Sequence, residues 1–407
     1  MKAIGKLWLI SEVYYPEEIG TAYYMTGLAE GLTSSYHCVN VLCSQPTYSA
    51  RGVLMPWEEV HHGVHIERCP ATVFNKDILV LRLVNMLTVS WAIFFACLLK
   101  IQKTDVILVV TNPPLLPFVV ATACHLRGAR CILRVDDVYP ETLIATGLAD
   151  PASPVVRVLA RLTKLLYRRV DQIIVIGRDM ERLAREKLGV TTKQISVIPN
   201  WADVALVNPV PKTDNALLHE LGLADKFVVQ CAGNMGRAQG VENMLRAAKL
   251  LREEKGIHFL FIGSGAKRRW MENEVRDKHL DNVTLLDQRP RSDQLNFLNA
   301  CDIAMASLVP GMTGAGVPSR LYNIMAAGKP IIAIAGSDSE LSLVVQEEQI
   351  GWLVPPDQPE KLAEVILVAK AHPHDLSLMG ERARGVAEVK YSRDRIISTY
   401  TELIRVG

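Results

Sequence analysis

The sequence lacks the short motifs that identify serine hydrolases, metalloproteases, P-loop enzymes and zinc clusters. It contains no GxSxG, HExxH or Walker loop, and its eight cysteines form no CxxC pair. Neither sign of charge is in excess, because 45 Lys and Arg stand against 43 Asp and Glu, for a formal net charge of +2. This balance excludes a nucleic-acid footprint over the whole protein and disorder driven by charge. Any anion-binding site must therefore be local.

Signals for export are also missing. The N-terminal segment MKAIGKLWLISEVYYPEE has neither the long apolar stretch nor the small-residue cleavage site of a signal peptide. Most of the cysteines fall inside apolar runs, where free thiols behave as small hydrophobic groups. We therefore expect a protein of the reducing cytoplasm.

Hydrophobic residues make up 49% of the 407 residues, and they are concentrated in ILVLRLVNMLTVSWAIFFACLL, residues 78–99. This run is long enough to span a bilayer, but Arg82 and Asn85 lie inside it, and a charge within a span is costly. Three interpretations stay open: a spanning helix, a buried helix, and a helix that lies in the membrane interface. The Trp and two Phe of the run favour the last.

A second segment, residues 155–170, is strongly basic on one helical face. In VVRVLARLTKLLYRRV the cations Arg157, Arg161, Lys164 and Arg168 follow one another at steps of four, three and four, opposite several leucines. A solvated surface helix explains this pattern. The alternative is contact with anionic lipid headgroups or a lipid diphosphate, which would make 78–99 and 155–170 a membrane-facing surface.

The distribution of apolar runs predicts an α/β fold. Apolar runs of five to seven residues, rich in β-branched side chains, alternate with segments of helical period. This alternation is typical of parallel sheets that helices cover on both faces. The runs are KLWLIS, CVNVLCS, DVILVVT, RCILRVD, DQIIVIG, ISVIP, FVVQCAG, IHFLFIG, NVTLL, DIAMAS, PIIAIA and GWLV. They are too many for one ordinary sheet. The polar, proline-bearing stretch at 207–216 cannot continue a helix or a central strand, so it marks a domain boundary.

Polar residues follow the predicted strands in both halves of the chain. Ligands of open parallel sheets bind at the carboxyl ends of the strands, so these are candidate site residues. They include Glu12, Asn112, Asp136, Asp137, Asn234, Arg289 and Ser307. Two such edges facing each other would form a cleft for a ligand with two halves.

The pair Asp136 and Asp137 ends the strand RCILRV and precedes VYPET, which contains Glu141. Paired carboxylates at a strand end can hold a metal, act as an acid or base, or cap the next helix. A metal would need further ligands, and none is evident nearby. The segment HHGVH, residues 61–65, matches no zinc pattern and is better explained as a turn at an edge strand with exposed histidines.

Two glycine-bearing turns are candidates for phosphate binding. GNMGRAQG, residues 233–240, follows a strand and precedes a helical pattern, so backbone N–H groups and a helix N-terminus can approach a phosphate. A structural turn would explain the glycines but not Arg237 beside them. FIGSGAKRRW lacks the third glycine of a dinucleotide loop, which argues against a nicotinamide cofactor. Lys267 in this segment is a candidate phosphate partner.

The stretch MTGAGVPSRLYNIMAAGKPIIA, residues 312–333, predicts an anion site. Pro318 fixes the entry to a helix, Ser319 is a suitable N-cap, and Arg320 lies in the first turn. A cation at the start of a helix is unfavourable because of the helix dipole, unless an anion also binds there. Asn323, one turn further, can hydrogen-bond a sugar or ribose hydroxyl.

Together these segments resemble a known enzyme family. YYPEEIG, RVDDVYPE, VIPNWAD, GNMGRAQGVENMLRAA, FIGSGAKR and VPSRLYNIMAAGKPIIA occur in the order and approximate spacing of the retaining GT-B glycosyltransferases of group 1 (family four). The chain is most similar to the bacterial branch of fucosamine, colanic-acid and O-antigen transferases, over nearly its whole length. The resemblance implies two Rossmann-like domains that face a central cleft.

The resemblance also implies how the chain is organised. Residues 1–206 would bind a lipid-linked or polysaccharide acceptor, residues 207–391 a nucleotide diphosphate sugar, above all a UDP-sugar, and the helix of residues 392–407 would cross back to the first domain. Family members transfer a hexosyl residue with retention and without an essential metal. For this chain we expect a protein peripheral to the inner face of the cytoplasmic membrane.

Site residues implied by the resemblance fall into three groups. In the donor-binding group, the backbone of Gly20 would contact the diphosphate and Arg289 would lie near the base. Its members are Gly20, Asn234, Gly236, Arg237, Gln239, Lys267, Arg289, Ser319, Arg320 and Asn323. The catalytic candidates are Asp136, Asp137 and Arg320, and the acceptor-side candidates are Glu12, Asn112 and Glu141.

The sequence departs from the family pattern at several positions. Asn234 and Gln239 replace an Arg and a Lys, and Asp136 stands at the position of a catalytic histidine. The paired glutamates of the broader family fall at Ala315 and Asn323, neither of which is acidic. Two alternatives therefore stay open: a sugar-nucleotide 2-epimerase of the same fold, and a catalytically inactive protein that binds nucleotide sugars.

Overall fold

The computed structural model describes residues 5–75, 78–190 and 192–405. The chain divides into two compact units, of which the first comprises Met1–Pro140, Pro151–Pro199 and Ile396–Gly407, and the second Glu141–Asp150 and Asn200–Arg395. This division differs from the expected one, because the second unit begins at Asn200 and takes in Glu141–Asp150.

The first unit is built on an eight-stranded sheet. Its strands are β1 (Leu7–Ile10), β2 (Val39–Cys43), β3 (Glu58–His61), β4 (Val64–Arg68), β5 (Val106–Val110), β6 (Arg130–Val135), β7 (Gln172–Val175) and β8 (Ile195–Val197). Their order is β3-β4-β2-β1-β5-β6-β7-β8, and only the β3–β4 pair is antiparallel over the described residues. The strands β1, β2, β5 and β7 are buried along their whole length, as expected when helices cover both faces.

The second unit is built on a parallel sheet of six strands. These are β9 (Phe227–Ala232), β10 (Ile257–Ile262), β11 (Val283–Leu286), β12 (Ile303–Ser307), β13 (Ile331–Ile334) and β14 (Gly351–Val354), in the order β11-β10-β9-β12-β13-β14. Val228 and Val229, neighbours in β9, belong to two different core clusters, because successive side chains point to opposite faces of the sheet. All twelve predicted apolar runs form strands, so the α/β prediction is confirmed.

Helices pack on both sheets. In chain order they are α1 (Gly20–Leu32), α2 (Leu79–Lys100), α3 (Leu116–Arg127), α4 (Glu141–Ala145), α5 (Pro154–Arg169), α6 (Arg178–Leu188), α7 (Ala216–Glu220), α8 (Val241–Leu250), α9 (Arg268–Asp277), α10 (Gln294–Leu298), α11 (Arg320–Ala326), α12 (Glu340–Glu347), α13 (Pro359–Ala371), α14 (Pro373–Lys390) and α15 (Arg393–Arg405).

The order of strands reverses beside the first strand of each sheet. In the first unit the reversal lies between β1 and β5, and in the second between β9 and β12. Such a reversal opens a crevice at the carboxyl ends of the two strands, where open α/β sheets bind their ligands. The loops that leave these four strands are therefore the places to look for a site.

Helix α2 has one packed face and one exposed face. It packs against α3, and Asn85, Val89 and Ile93 on the packed face are buried. The opposite face exposes five apolar side chains at steps of four, namely Leu83, Leu87, Trp91, Phe95 and Leu99. The interpretation of 78–99 as a buried helix is therefore wrong. Among the described helices of 18 or more residues, Val80–Lys100 is the one segment apolar enough to cross a membrane, by length and composition alone.

Helix α5 is also exposed on an apolar face. Val155, Val158, Leu162 and Leu165 are 44–72% exposed, beside the exposed cations Arg157 and Arg161. The sequence pattern predicts leucines on the helix face opposite the cations. Of these leucines, Leu166 alone is buried. The buried side is narrow and consists of Val156, Thr163, Leu166 and Tyr167.

Candidate functional site

In the second unit, the loops that follow β9 and β10 bind each other through their backbones. The N–H of Gly233 donates to the carbonyl of Ile262, and the N–H of Met235 to that of Ser264, both at 2.8 Å. A Cβ on Gly265, which has φ +148°, would lie 2.5 Å from Asn234 Oδ1. The glycines of FIGSGAKRRW are thus required by the close approach of the neighbouring loop.

Arg320 ties this loop to α11. Its Nη2 donates to the carbonyl of Asn234 at 2.7 Å, and its Nη1 donates to Cys231 Sγ at 2.9 Å. The guanidinium lies over Gly233, where a Cβ would come within 3.4 Å of Nη2. The cation predicted at this helix start is therefore already part of the glycine loop, and an anion bound there would meet a preorganised group.

Ser319 does not cap α11 as predicted. Its backbone is already helical, at φ −60° and ψ −19°, and its hydroxyl makes no capping hydrogen bond within the described chain. A capping residue needs an extended backbone so that its side chain reaches back over the first N–H groups, which explains the correction. Ser319 remains half-buried at the start of the helix.

Several buried polar atoms near the β9–β12 reversal have no hydrogen-bond partner among the described residues. They are Gln239 Oε1, Ser307 Oγ, Asn323 Oδ1 and both amide atoms of Asn243. The loops after β9 and β12 meet here, because the N–H of Val309 donates to the carbonyl of Ala238 at 3.0 Å. Unpaired buried polar groups are rare in proteins and each needs a cause, of which a missing ligand is one.

From the sequence, Ser307 is noted only as a polar residue that follows a predicted strand, and Asn243 is not predicted. Ser307 ends the apolar strand β12, and its Oγ would lie 3.3 Å from a Cβ on Gly240. Asn243 occupies a buried position of α8 that the helical pattern would fill with an apolar side chain. A polar residue at a predicted core position was the signal available for Asn243.

The predicted donor-site cations differ in how they are paired. Arg237 is exposed, opens the short helical turn Arg237–Gln239, and forms no ion pair in the described ranges. Lys267 Nζ lies 2.5 Å from Glu242 Oε1, and Arg289 Nη1 lies 2.6 Å from Asp293 Oδ2. Arg237 is therefore available to an anionic ligand. Lys267 and Arg289 could bind such a ligand only while also paired with Glu242 and Asp293, or after leaving them.

In the first unit, the loop after β1 carries Glu12 and leads to Gly20. Glu12 is buried, and its carbonyl accepts from the N–H and the hydroxyl of Ser44, both at 2.9 Å. Gly20 begins α1, whose N-cap Ile19 has no side-chain capping bond and whose first turn has no acid. Because no side chain caps it and no acidic residue lies in its first turn, this helix N-terminus can bind an anion.

Glu17 holds this loop in place, although no sequence pattern distinguishes it from other acidic residues. Its carboxylate is buried and accepts from the backbone N–H groups of residues 47–50 at 2.5–3.2 Å and from the Ser49 hydroxyl at 2.7 Å. Burial alone would raise the pKa of Glu17, but these hydrogen bonds outweigh it and lower the pKa below its usual 4.5. The neighbour Glu18 is exposed, and nothing in YYPEEIG distinguishes the two.

Asp136 is committed to an ion pair. Arg134 is buried, and its Nε donates to Asp136 Oδ1 at 2.9 Å while its Nη1 donates to the Tyr400 hydroxyl at 2.8 Å. Asp136 Oδ2 is buried and has no hydrogen-bond partner in the described part of the chain. The Thr111 hydroxyl accepts from the N–H groups of Asp136 and Asp137 at 3.1 and 3.2 Å, which fixes the turn after β6.

Asp137 lines a small, mostly apolar cavity within the first unit. Phe118 of α3, Leu159 and Thr163 of α5, and Tyr139 are among its other walls. Burial, together with the charge of Asp136, raises the pKa of Asp137 to about 7. A carboxyl with this pKa can take up and release a proton near neutral pH.

The acceptor-side candidates do not all lie in one unit. Asn112 is half-buried after β5 in the first unit, near the reversal of strand order. Glu141 begins α4, which belongs to the second unit, where the Thr142 hydroxyl donates to the Ala315 carbonyl at 3.4 Å. Glu141 thus lies outside the first unit, unlike in the expected division at residue 206, and its acceptor-side role stays a prediction.

Comparisons with known proteins agree with this architecture. Residues 218–386 match the family described as glycosyl transferases group 1, and residues 20–201 match a glycosyl transferase 4-like domain. The probable glycosyltransferase WbjE of Pseudomonas aeruginosa is 35% identical over 306 residues, which are 75% of this chain and 76% of WbjE. The putative colanic acid biosynthesis glycosyl transferase WcaI of Escherichia coli K12 is 26% identical over 96% of this chain and 98% of its own.

Solved structures share the fold at low identity. Sucrose-phosphate synthase from Thermosynechococcus elongatus superposes with a TM-score of 0.79 at 21% identity, covering 98% of both chains. Anabaena Alr3699/HepE in complex with UDP-glucose superposes with a TM-score of 0.73 at 16% identity, covering 99% of this chain and 100% of HepE. The expected GT-B fold, with two α/β domains on parallel sheets, is confirmed. With both halves of the chain matched by glycosyltransferase families and a relative at this level of identity, the chain belongs to the group 1 glycosyltransferases.

Proposed function

We propose that this protein transfers a hexosyl residue from a UDP-sugar to a lipid-linked or polysaccharide acceptor in bacterial surface-glycan biosynthesis, with retention of configuration and without an essential metal. The observation that carries the donor site is the set of unpaired buried polar atoms at the β9–β12 reversal, beside the exposed Arg237. The names of WbjE and WcaI, and the UDP-glucose held by HepE, support the substrate classes.

The second unit supplies the chemistry that the departing diphosphate needs. Arg237 and the preorganised Arg320 offer positive charge, and the glycine loop offers backbone N–H groups. Such groups act most strongly when they are fixed before charge develops on the leaving group. Asn323 Oδ1 and Ser307 Oγ have no hydrogen-bond partner among the described residues, so both can bond hydroxyl groups of the sugar nucleotide.

The first unit is the proposed acceptor side. Asp137, with a pKa of about 7, is the group suited to hydrogen-bond an acceptor hydroxyl and to take part in its deprotonation. Asp136 acts through its ion pair with Arg134 to keep this turn in position. Glu12 and Asn112 follow β1 and β5 at the reversal of strand order, where the acceptor would enter.

The exposed faces of α2 and α5 support a membrane-peripheral location. Both helices pack against α3, and each presents an apolar stripe, with exposed arginines along that of α5. An apolar face edged by cations is typical of helices that lie in the interface of an anionic membrane. Asn85 on the packed face of α2 bonds the backbone of Phe74 at 2.9 and 3.0 Å, which favours this arrangement over a spanning helix.

A thermal-shift screen tests the donor assignment. UDP, GDP and ADP are compared, each with matched nucleotide sugars, because a ligand that binds only the folded state raises the melting temperature. We expect a selective shift with UDP and its sugars. Arg237→Ala should weaken UDP affinity by roughly 1.5–3 kcal/mol, as for other hydrogen bonds to charged groups, and the exposed Arg246→Ala in α8 is the matched control. A shift with none of the diphosphates would overturn the proposal.

One observation favours a second candidate function. The positions of the family's paired glutamates hold Ala315, which is fully buried, and Asn323. A catalytically inactive protein would bind UDP-sugars in the same screen but would release no UDP in the presence of acceptor extracts. A 2-epimerase would convert the nucleotide sugar without an acceptor. UDP release that depends on added membranes identifies the transferase. Conversion of the nucleotide sugar in the absence of membranes then separates the 2-epimerase from the inactive protein.

A further inference from the structure

A carboxylate and two imidazoles that the glycosyltransferase site does not use converge at one edge of the first unit. His61 ends β3, His62 begins the turn to β4, and Glu30 lies in the last turn of α1. His61 Nε2 and His62 Nδ1 each lie 3.6 Å from Glu30 Oε1. The three candidate ligand atoms lie within 4.8 Å of one another.

The backbone of the turn brings both rings to the same side. Successive strand residues normally point to opposite faces, but His62 has a left-handed backbone, with φ +47°. Its ring stacks on that of His61 with centroids 4.2 Å apart, and Tyr15 stacks on His61 at 3.8 Å. The imidazole of His61 is thus held between two rings, and His62 remains open to solvent with a side chain 69% exposed.

The local charge favours a cation between these residues. Glu30 lies at the C-terminal end of α1, where the helix dipole is negative and where the last turn contains no basic residue. The helix dipole destabilises a carboxylate at that position, and a cation bound beside it offsets this effect. The turn also sits directly over the end of α1, since a Cβ on Gly63 would lie 3.5 Å from the Thr33 side chain.

We propose that Glu30, His61 and His62 form a binding site for a divalent transition metal ion of the zinc type, with water completing its coordination. Imidazole nitrogen and carboxylate oxygen bind Zn²⁺ at about 2.0–2.2 Å, so two tetrahedral ligand atoms lie roughly 3.3 Å apart. The 3.6 Å separations from Glu30 need only a small closure, and the stacked rings of His61 and His62 must turn so that both nitrogens point to the ion. The ion would fasten the β3–β4 hairpin to α1 and, through His61, brace Tyr15 of the loop that follows β1.

Zinc titration of the untagged, chelator-treated full-length protein tests the site. Calorimetry should give one equivalent of bound Zn²⁺, with a rise in melting temperature, and Co²⁺ should produce the visible absorption of a tetrahedral or five-coordinate centre. His62→Asn should weaken Zn²⁺ binding by roughly 100-fold or more, since even outer-shell changes cost about 10–100-fold. Asparagine tolerates the left-handed backbone at this position, so the turn is retained.

His65→Asn is the matched control, because His65 is exposed on the same hairpin and does not belong to the cluster. It should bind Zn²⁺ like the wild type. Glu30→Gln provides a second ligand variant away from the turn and should also weaken binding. Absence of stoichiometric Zn²⁺ binding by the wild type, or unchanged affinity in His62→Asn, would overturn the proposal. The thermal-shift screen with nucleotides tests the donor site in the second unit, so neither zinc result depends on its outcome.

Discussion

At the scale of single residues, the carboxylate of Glu17 accepts five hydrogen bonds but has no part in the expected chemistry. Because its pKa is lowered in the folded protein, it stabilises the fold above about pH 4.5, and this contribution is lost as the pH falls through the folded pKa. Glu17→Gln should lower the free energy of unfolding by about 2–4 kcal/mol at neutral pH, since an amide nitrogen would face backbone donors.

Urea unfolding across pH measures this effect. The difference between wild type and Glu17→Gln should shrink toward acid pH, where the native carboxylate becomes protonated. The exposed neighbour Glu18→Gln is the control and should change stability little. A loss that persists unchanged at acid pH would indicate that packing, and not the charge of Glu17, holds the loop.

Asp137 acts in the opposite sense. Its pKa rises from 3.8 to about 7 on folding, so its ionisation destabilises the folded state progressively as the pH rises between those values. Asp137→Asn removes this cost, and we expect it to stabilise the first unit by roughly 2 kcal/mol more at about pH 8 than at about pH 5. Urea melts at the two pH values check this, with Asp136→Asn losing stability at both because the buried Arg134 would lose its ion pair with Asp136.

Sequence reasoning about residues succeeded where local rules suffice and failed where the partner is distant. The Gly233–Gly240 turn and the edge turn at HHGVH follow from glycine chemistry and strand pattern. The contacts of Glu17 with residues 47–50, and the approach of Glu30 to His61, depend on packing that no local pattern encodes. The cap at Ser319 failed because the residue adopts a helical backbone before the helix begins.

At the scale of elements, hydropathy identified α2 but not its exposure. A helix with a continuous apolar run gives no period from which to infer a buried face, so three interpretations stood. Packing against α3 separates a buried face from an apolar stripe that ends at Leu99, which is 82% exposed. The edge strand β3 was missed for a related reason, because alternating exposed and half-buried residues leave no apolar run to detect.

The stripe on α2 leads to a prediction about membranes. Trp91 and Phe95 are 50% and 57% exposed, so replacing both by Ser should release the protein from anionic vesicles without unfolding it. Vesicle sedimentation measures the release, with circular dichroism as the check on folding. Leu250→Ser with Val389→Ser removes two exposed apolar residues of the second unit and should leave binding intact. Equal sedimentation of the two variants would contradict a role for the stripe.

At the scale of the whole molecule, the alternation of strands and helices predicted two α/β units, because buried parallel strands leave a strong apolar signal. It did not predict that Glu141–Asp150 would join the second unit, since a short helix can pack on either sheet without changing its own sequence pattern. Nor can hydropathy assign the last helix, whose amphipathic pattern fits any apolar surface.

The contacts of the C-terminal helix give a prediction at this scale. Residues 396–407 belong to the first unit, where Arg130 donates to the Ile404 carbonyl at 2.7 Å and the Tyr400 hydroxyl accepts from the buried Arg134. Tyr400→Phe should cost about 1.5–3 kcal/mol, as for other hydrogen bonds to a charged group. Ending the chain at Arg395 should cost more, because it also removes the buried side chains of Ile396 and Ile404 and exposes the apolar surface that they cover. Hydrogen exchange should then quicken in β6 and β7 while β9 and β12 stay protected, and equal loss of protection in both sheets would contradict the division of the chain.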